Sequence, residues 1–251
     1  MNEAAAIRRA IRDGKIRGST AGLAPGYRQA NLLALPAEAA GEFRLFCERN
    51  ARACPILEVL LAGETEPRSA PLADLRTDLP LYHVYRRGQP VVEVEDATPY
   101  WREDLTAFLL GCSYTFETEL IKAGIPLPHV PNGRRVPMYR TNRKAVAAGR
   151  FGGRLVVSMR WIPQSRVPDA IDISERYPDA HGAPLNVDDP DELGIADLWK
   201  PDFGEAVPAP AGTVPVFWAC GVTSLTAAEG ANLPLFITHA PGCMFITDRR
   251  S

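Results

Sequence analysis

Two histidines lie in short turns beside small residues and proline, where helix or strand packing does not require them. His181 is followed by Gly-Ala-Pro, and His239 is followed by Ala-Pro-Gly. Because an imidazole titrates near neutral pH, either ring can act as a general acid, a general base or a ligand. A lone histidine is more often a hydrogen-bonded structural group, but two in similar turns favour proton transfer. Asp248 could orient the ring of His239 if a final hairpin brings the two together.

Two cysteines stand beside glycine where apolar runs end. Cys112 and Ser113 follow a glycine, and Glu117 lies four residues beyond Ser113. This spacing predicts a nucleophile and an acid/base residue at the start of a helix, where free N–H groups favour anions. A buried cysteine with a helix cap completed by Glu117 explains the same residues. Cys220 ends a predicted strand before Gly and Thr223, a common ligand position in α/β folds, so Cys220 is a candidate nucleophile. A buried strand-end cysteine is the competing interpretation, and Thr223 is a candidate substrate ligand.

One short segment places a phenol, a guanidinium, a hydroxyl and an amide side by side, at Tyr139, Arg140, Thr141 and Asn142. An extended backbone would point Tyr139 and Thr141 one way and the other two the opposite way. Arg140 is the best candidate for holding a substrate carboxylate, with Arg76 from an acidic turn as a second clamp, because the guanidinium fork binds anions in a bidentate manner. Local ion pairs are the alternative for both arginines.

Several classes of function are excluded by what the sequence lacks. It contains no P-loop, no GxGxxG, no HExxH and no GxSxG, and no pair of candidate ligands has the spacing of a metal site. We therefore expect neither a metal nor another cofactor. A formal net charge of −2 without a basic run argues against nucleic-acid binding. No stretch has the length of a membrane span, the five cysteines are scattered, and no signal peptide is visible, which together predict a cytoplasmic protein. The expected partner is a small carboxylate substrate, and a homodimer is left open.

The elements that must position these residues alternate between helices and strands. Helices are predicted at 2–13, from Pro36, at 102–111 and at 116–123; strands are predicted at 32–35, 56–61, 155–161, 170–173, 214–219, 235–238 and 244–247, and a hairpin at 81–94. The pattern predicts an α/β fold, with a mixed-sheet α/β sandwich body and a second, smaller strand-rich α+β lobe. We assign the body to 1–130 and 206–251 and the inserted lobe to 131–205, with the site in the crevice between them. No internal repeat is predicted.

Nine ordered blocks carry a family resemblance, at residues 24–31, 45–47, 73–78, 111–113, 136–142, 181–184, 201–204, 217–223 and 237–242. From about residue 20 onwards the chain resembles the bacterial "putative hydro-lyase" family, also called D-glutamate cyclase-like. The resemblance implies a lyase that breaks a carbon–oxygen bond or expels water, and a larger mitochondrial relative cyclises D-glutamate to 5-oxo-D-proline. It also leads us to expect a histidine where this chain has Cys243.

Cyclisation and dehydration both require proton transfer, an anion clamp and support for a developing oxyanion. The candidates for proton transfer are His239 and Glu117. Arg140 with Arg76 is the candidate anion clamp, and Tyr139 or Asn142 is the candidate for oxyanion support. Two alternatives from other classes are a non-catalytic binding protein for an amino or oxo acid, and an accessory subunit of a 5-oxoproline-metabolising complex.

Overall fold

The chain folds into two antiparallel sheets with helices packed around them. The computed structural model describes residues 2–131 and 133–251. Its α-helices are α1 (Glu3–Arg12), α2 (Ala37–Arg49), α3 (Tyr114–Lys122), α4 (Val167–Glu175) and α5 (Val222–Gly230). Its strands are β1 (Tyr27–Pro36), β2 (Ile56–Leu60), β3 (Tyr82–Arg86), β4 (Gln89–Val94), β5 (Leu105–Gly111), β6 (Met138–Lys144), β7 (Arg154–Pro163), β8 (Asn186–Val187), β9 (Thr213–Ala219), β10 (Phe236–His239) and β11 (Phe245–Arg250). None of the helices in this part of the chain is long and apolar enough to cross a bilayer.

The predicted α/β class is confirmed. The first sheet has the strand order β2-β5-β1-β10-β3-β4, with β11 also beside β1, and the second has the order β6-β7-β9-β8. One edge of β1 pairs with β5, while the other edge is shared by β10 and β11, which lie one after the other. The last two strands therefore pair with β1 and not with each other as a hairpin. The division into a body and an inserted lobe stays a prediction, and β9, which it assigns to the body, pairs with β7 in the second sheet.

Two predicted elements are wrong. Residues 105–111 form the strand β5 and not a helix, and all seven of its residues are buried. A strand buried on both faces reads as a continuous apolar run, which periodicity alone does not distinguish from a buried helix. Residues 170–173 lie in the helix α4, where Ala170 and Ser174 are buried one turn apart on a single face. Pro168, in the first turn of α4, favours this helix start.

The two sheets contain two copies of one arrangement. We call β1, α2, β2, β5, α3 and β6 the first repeat (27–144), and β7, α4, β8, β9, α5 and β11 the second repeat (154–250). Strands β1 and β7 are both ten residues long, and each ends in a proline that leads into a helix, at Pro36 and Pro163. Each pairs with its partner, β5 or β9, over seven residue pairs that end at this proline.

The turns that follow β5 and β9 match residue for residue. A cysteine leaves each strand, at Cys112 and Cys220, and the next residue is the N-cap of a nine-residue helix. These N-cap residues, Ser113 and Gly221, have φ −59° and ψ −21° and φ −59° and ψ −20°. The register of the strand pairs likewise makes Leu33 of β1 the equivalent of Arg160 of β7.

The repeats exchange their last strands. Strand β6, from the first repeat, pairs with β7 of the second, whereas β11, from the second repeat, pairs with β1 of the first. The two exchanged segments read Met-Tyr-Arg-Thr-Asn-Arg-Lys and Met-Phe-Ile-Thr-Asp-Arg-Arg. Thr141 Oγ1 donates to the Leu155 carbonyl at 2.8 Å, and Thr247 Oγ1 donates to the Arg28 carbonyl at 2.9 Å. The expectation of no repeat is thus wrong, because the two copies share their strand pairing. They share only a few residue types, so the sequence does not reveal them.

Candidate active site

A cavity lies where the two repeats meet. Its wall includes the first residues of α3 and α5, the middle of β1, the end of β10 and the segment before β6. Five residues singled out by sequence reasoning are part of this wall: Cys112, Ser113, His181, Cys220 and His239. The starts of two helices therefore meet at one space, and the positive ends of their dipoles favour an anion there.

His181 is held as a neutral base. Its backbone is left-handed (φ 84°), and its ring Nδ1 lies 2.9 Å from the Arg52 carbonyl oxygen. Because a carbonyl only accepts hydrogen bonds, Nδ1 carries the proton and Nε2 keeps a lone pair. Burial, helped by the positive charge of Arg160, lowers the pKa of His181 to about 4. The ring is therefore neutral at neutral pH, and Nε2 can accept a proton.

His239 stands at the end of β10. Its Nδ1 lies 3.2 Å from both the amide nitrogen and the carbonyl oxygen of Leu32, so the ring takes a place in the ladder between β1 and β10. Burial lowers the pKa of His239 to about 4. The proposed contact with Asp248 is not formed, because Asp248 lies in β11 and accepts from Arg8 at 2.9 Å.

A buried ionic network lies behind Ser113. Arg160, with no exposed side-chain surface, donates from Nη2 to Ser113 Oγ at 2.7 Å and from Nη1 to Ser158 Oγ at 2.5 Å. Its Nε and Nη2 also donate to Glu117 Oε1, at 2.9 and 2.6 Å. His129 Nε2 lies 3.3 Å from the same carboxylate oxygen, without the alignment of a hydrogen bond. Burial alone would raise the pKa of Glu117, but Arg160 and His129 lower it to about 2, so Glu117 is ionised at neutral pH.

Sequence reasoning missed Arg160, Ser158 and His129. The signal for Arg160 was present, because it is a charged residue inside the apolar run that predicts a buried strand. A charge at such a position is rare unless it is paired. Its partners come from other parts of the chain, and the sequence alone does not show which groups they are.

The cysteines of the cavity are poor nucleophiles at neutral pH. Burial raises the pKa of Cys112 to about 12 and also raises that of Cys220. Only the thiolate is strongly nucleophilic, so both side chains remain unreactive thiols. Cys243, which stands where a histidine was expected, is buried and donates from Sγ to the Gly18 carbonyl at 3.1 Å. Burial raises its pKa to about 11.

Comparison with known proteins identifies the family of this chain. A family model described as D-glutamate cyclase matches residues 106–248, a range that includes the five cavity residues named above. The chain belongs to the D-glutamate cyclase family. Proteins named "putative hydro-lyase" match it at 57% identity in Rubrobacter xylanophilus (98% of this chain, 96% of the relative), 54% in Cupriavidus necator (99% and 92%) and 53% in Stutzerimonas stutzeri (98% and 93%). The predicted family is therefore confirmed.

In this member of the D-glutamate cyclase family, the polar segment of β6 lies outside the cavity wall. Tyr139 and Thr141 are buried and Arg140 and Asn142 are exposed, so the two pairs point in opposite directions as an extended segment predicts. The Tyr139 hydroxyl donates to the Leu198 carbonyl at 2.6 Å, and Asn142 Nδ2 donates to the Glu192 carbonyl at 3.2 Å. Arg140 lies 3.3 Å from Asp202. Their roles in binding or catalysis stay predictions, but each side chain already has a partner in the fold.

Two further candidates are also placed away from the cavity wall. Arg76 Nη2 forms an ion pair with Asp74 of its own turn, at 2.7 Å. Thr223 Oγ1 accepts the Val156 amide hydrogen at 3.0 Å, which ties α5 to β7. Like the β6 residues, they hold local structure in this family member.

Arg135 lies at the cavity and was not singled out from the sequence. It is the one arginine or lysine among the described residues of the wall. The side chain is about half exposed, and its Nε lies 3.5 Å from Glu205 Oε1. This loose ion pair leaves the guanidinium able to bind a carboxylate that enters the cavity.

Proposed function

We propose that this protein is a hydro-lyase for a small carboxylated metabolite, with D-glutamate as the first candidate substrate. The observation that carries the proposal is a neutral His181, with a free Nε2 lone pair, in the same cavity as the Ser113 hydroxyl and two helix starts. Family membership and the names of the relatives support the reaction class.

For cyclisation, His181 Nε2 takes a proton from the α-ammonium of D-glutamate. The neutral nitrogen attacks the γ-carboxyl carbon, a C–N bond forms, and the carbonyl oxygen gains negative charge. The Ser113 hydroxyl and the positive ends of the α3 and α5 dipoles stabilise that charge. The nitrogen loses two protons in all, and the leaving oxygen gains both of them and departs as water. His181 Nε2 carries these protons from the nitrogen to the oxygen, and His239 is the second candidate group for this transfer. The products are 5-oxo-D-proline and water.

For a dehydration, the same groups have parallel tasks. His181 removes a proton from the carbon next to the carboxylate, and a protonated group assists the departure of hydroxide from the neighbouring carbon. The Arg135 guanidinium at the cavity holds the carboxylate in either reaction. Glu117, ionised and bound to Arg160, is assigned a positioning task in place of proton transfer.

Proton NMR in D₂O tests this proposal with the purified protein and a panel of acids. The panel contains D- and L-glutamate, 5-oxoproline, and small hydroxy and unsaturated acids. Formation of 5-oxoproline from D-glutamate alone supports the cyclase, and loss of water or deuterium exchange in another acid supports a hydro-lyase with a different substrate. Saturable binding of an acid without turnover would contradict the proposal of an enzyme and would indicate a binding protein. His181→Asn is the matched control for a contaminating activity.

We further propose that the protein works in the cytoplasm. All five cysteines are free thiols, and four of them are buried. Free thiols persist in a reducing compartment. Recovery of the protein in the secreted or envelope fraction of its host would contradict this location.

A further inference from the structure

The ion pair of Arg160 with Glu117 is not required by the fold. The second half of the same cavity is built from the equivalent positions, where the register of the strands and helices places Leu33 and Leu225. Both leucines line the cavity and belong to one apolar cluster. The same packing of a strand against a helix thus occurs twice in one molecule, once with a buried ion pair and once with two leucines.

A buried ion pair has a cost that the leucine pair avoids. Removing two charges from water costs several kcal/mol per ion, and well-packed apolar residues of similar volume often replace such a pair without loss. Arg160 has a leucine as its equivalent in the other repeat. Packing alone therefore does not explain why an arginine occupies this position.

The hydrogen bonds of Arg160 fix the direction of a hydroxyl in the cavity wall. A guanidinium is a donor only, so Ser113 Oγ must act as the acceptor of the 2.7 Å bond from Arg160 Nη2. The hydroxyl hydrogen of Ser113 is then free to donate to another group, and Ser113 lines the cavity. The equivalent residue in the other repeat, Gly221, has no hydroxyl.

We propose that Arg160 is the positioning residue that makes the Ser113 hydroxyl a donor to a carboxylate oxygen of the substrate. The inference rests on the proposed function, because it requires a carboxylate ligand. Glu117 holds the guanidinium in place from behind. The cavity then has a polar end at Ser113 and an apolar end at Leu33 and Leu225, and the acid binds with one carboxylate at the polar end and its carbon chain towards the other.

A double-mutant cycle tests this assignment. The affinity of D-glutamate, L-glutamate and 5-oxo-D-proline is measured by calorimetry for the wild type, Ser113→Ala, Arg160→Lys and the double variant. Each single change should weaken binding of the preferred acid by roughly 10- to 100-fold, the range for a hydrogen bond to a charged group. Because both changes remove the same bond, the double variant should bind no more weakly than the single variants.

Arg8→Lys is the matched control. Arg8 is also a buried arginine in an ion pair, with Asp248 at 2.9 Å, and it lies outside the cavity wall. Its replacement should lower the melting temperature and leave the affinity unchanged. If Arg160→Lys does not fold, Glu117→Gln replaces it in the cycle, because it weakens the hold on the same guanidinium with little change in volume.

The outcomes separate this inference from the proposed function. Unchanged affinity in Arg160→Lys, or losses that add in the double variant, would overturn the positioning role while the hydro-lyase proposal stands. Failure of the wild type to bind any of the three acids, and to turn over any acid of the NMR panel, would contradict both.

Discussion

His181 combines an unusual backbone with a lowered pKa. Left-handed φ values are rare for residues other than glycine, although histidine and asparagine adopt them more readily than most. Such strained residues cluster at functional sites. Here the left-handed turn and the Arg52 carbonyl together fix the ring with Nδ1 protonated. The backbone thus determines which nitrogen of His181 is the base.

Replacement of His181 by Asn should remove most of the activity. Asparagine tolerates the left-handed backbone, so the variant should fold while it lacks a base. We expect kcat to fall ~10²–10⁴-fold, the usual contribution of general acid–base catalysis. The rate of the wild type should decline only as the pH approaches about 4, the pKa of the buried ring. A decline centred near 6.5, or a variant with full activity, would remove His181 from the mechanism.

The same residue predicts a dependence of stability on pH. The pKa of His181 is about 4 in the folded protein and 6.5 for an unperturbed histidine, so between these values the unfolded chain binds the extra proton. The contribution of His181 to the free energy of unfolding is therefore complete above pH 6.5. It is lost as the pH falls towards 4, and the total loss is about 3 kcal/mol. Urea denaturation at pH 7 and pH 4.5 measures this effect. Between these two pH values, the free energy of unfolding should fall less for His181→Asn than for the wild type. Equal losses would contradict the prediction.

At the scale of elements, the turn between β5 and α3 positions the loop that carries His181. A Cβ atom on Gly111 would lie 1.7 Å from the carbonyl oxygen of Asp179, two residues before that histidine. The end of a central strand therefore touches the backbone of the loop that carries His181, and only glycine permits the contact.

Gly111→Ala should disturb both stability and activity. The methyl group must displace the backbone at Asp179, so we expect a loss of about 1–3 kcal/mol in the free energy of unfolding and at least a tenfold lower kcat/KM. Gly41→Ala, in the exposed middle of α2 with open space around it, should instead stabilise the protein by about 0.5–1 kcal/mol. Chemical denaturation and initial rates measure both effects, and wild-type behaviour of Gly111→Ala would show that the contact is not needed.

Sequence patterns predicted most of the elements but not the network that completes the site. Amphipathic spacing predicted α1, and apolar runs predicted β7 and β9. The apolar run of β5 was assigned to a helix because strands buried on both faces lose the alternation that distinguishes them. The links from Arg160 to Ser113 and Glu117 join distant parts of the chain, so no local pattern indicates them. Conversely, Arg140 and Tyr139 were chosen as site residues for their chemistry, although their contacts lie outside the cavity wall.

At the scale of the whole molecule, the two repeats create the cavity and also make it asymmetric. Equivalent residues face it from both sides, as Cys112 and Cys220 do, but among the described residues a charged network lies behind one side, where the other side has Leu33 and Leu225. Two similar halves have thus acquired different chemistry around one shared space. This division was hidden in the sequence, because the two repeats share their strand pairing and only a few residue types.

The equivalence of the exchanged strands predicts matched effects of two distant substitutions. Thr141 and Thr247 each donate to a carbonyl of the neighbouring strand and accept an amide hydrogen from the residue two positions further on, at 3.2 and 3.3 Å. Thr141→Val and Thr247→Val should each lower the free energy of unfolding by about 1–3 kcal/mol, because both leave a backbone partner unsatisfied. The losses should agree closely and add in the double variant. Urea denaturation checks this, and a loss in only one variant would contradict the equivalence.

The exchange of strands also has a consequence for biosynthesis. Strand β1 leaves the ribosome early, yet half of its free edge is filled by β11, from the far side of the second repeat. The nascent first repeat therefore exposes an unpaired strand edge throughout most of translation, a state prone to wrong pairing. Contacts between such distant segments also slow folding. Protection of this strand edge against wrong pairing should therefore assist folding during synthesis. The polypeptide reaches its native topology only after both repeats have been translated.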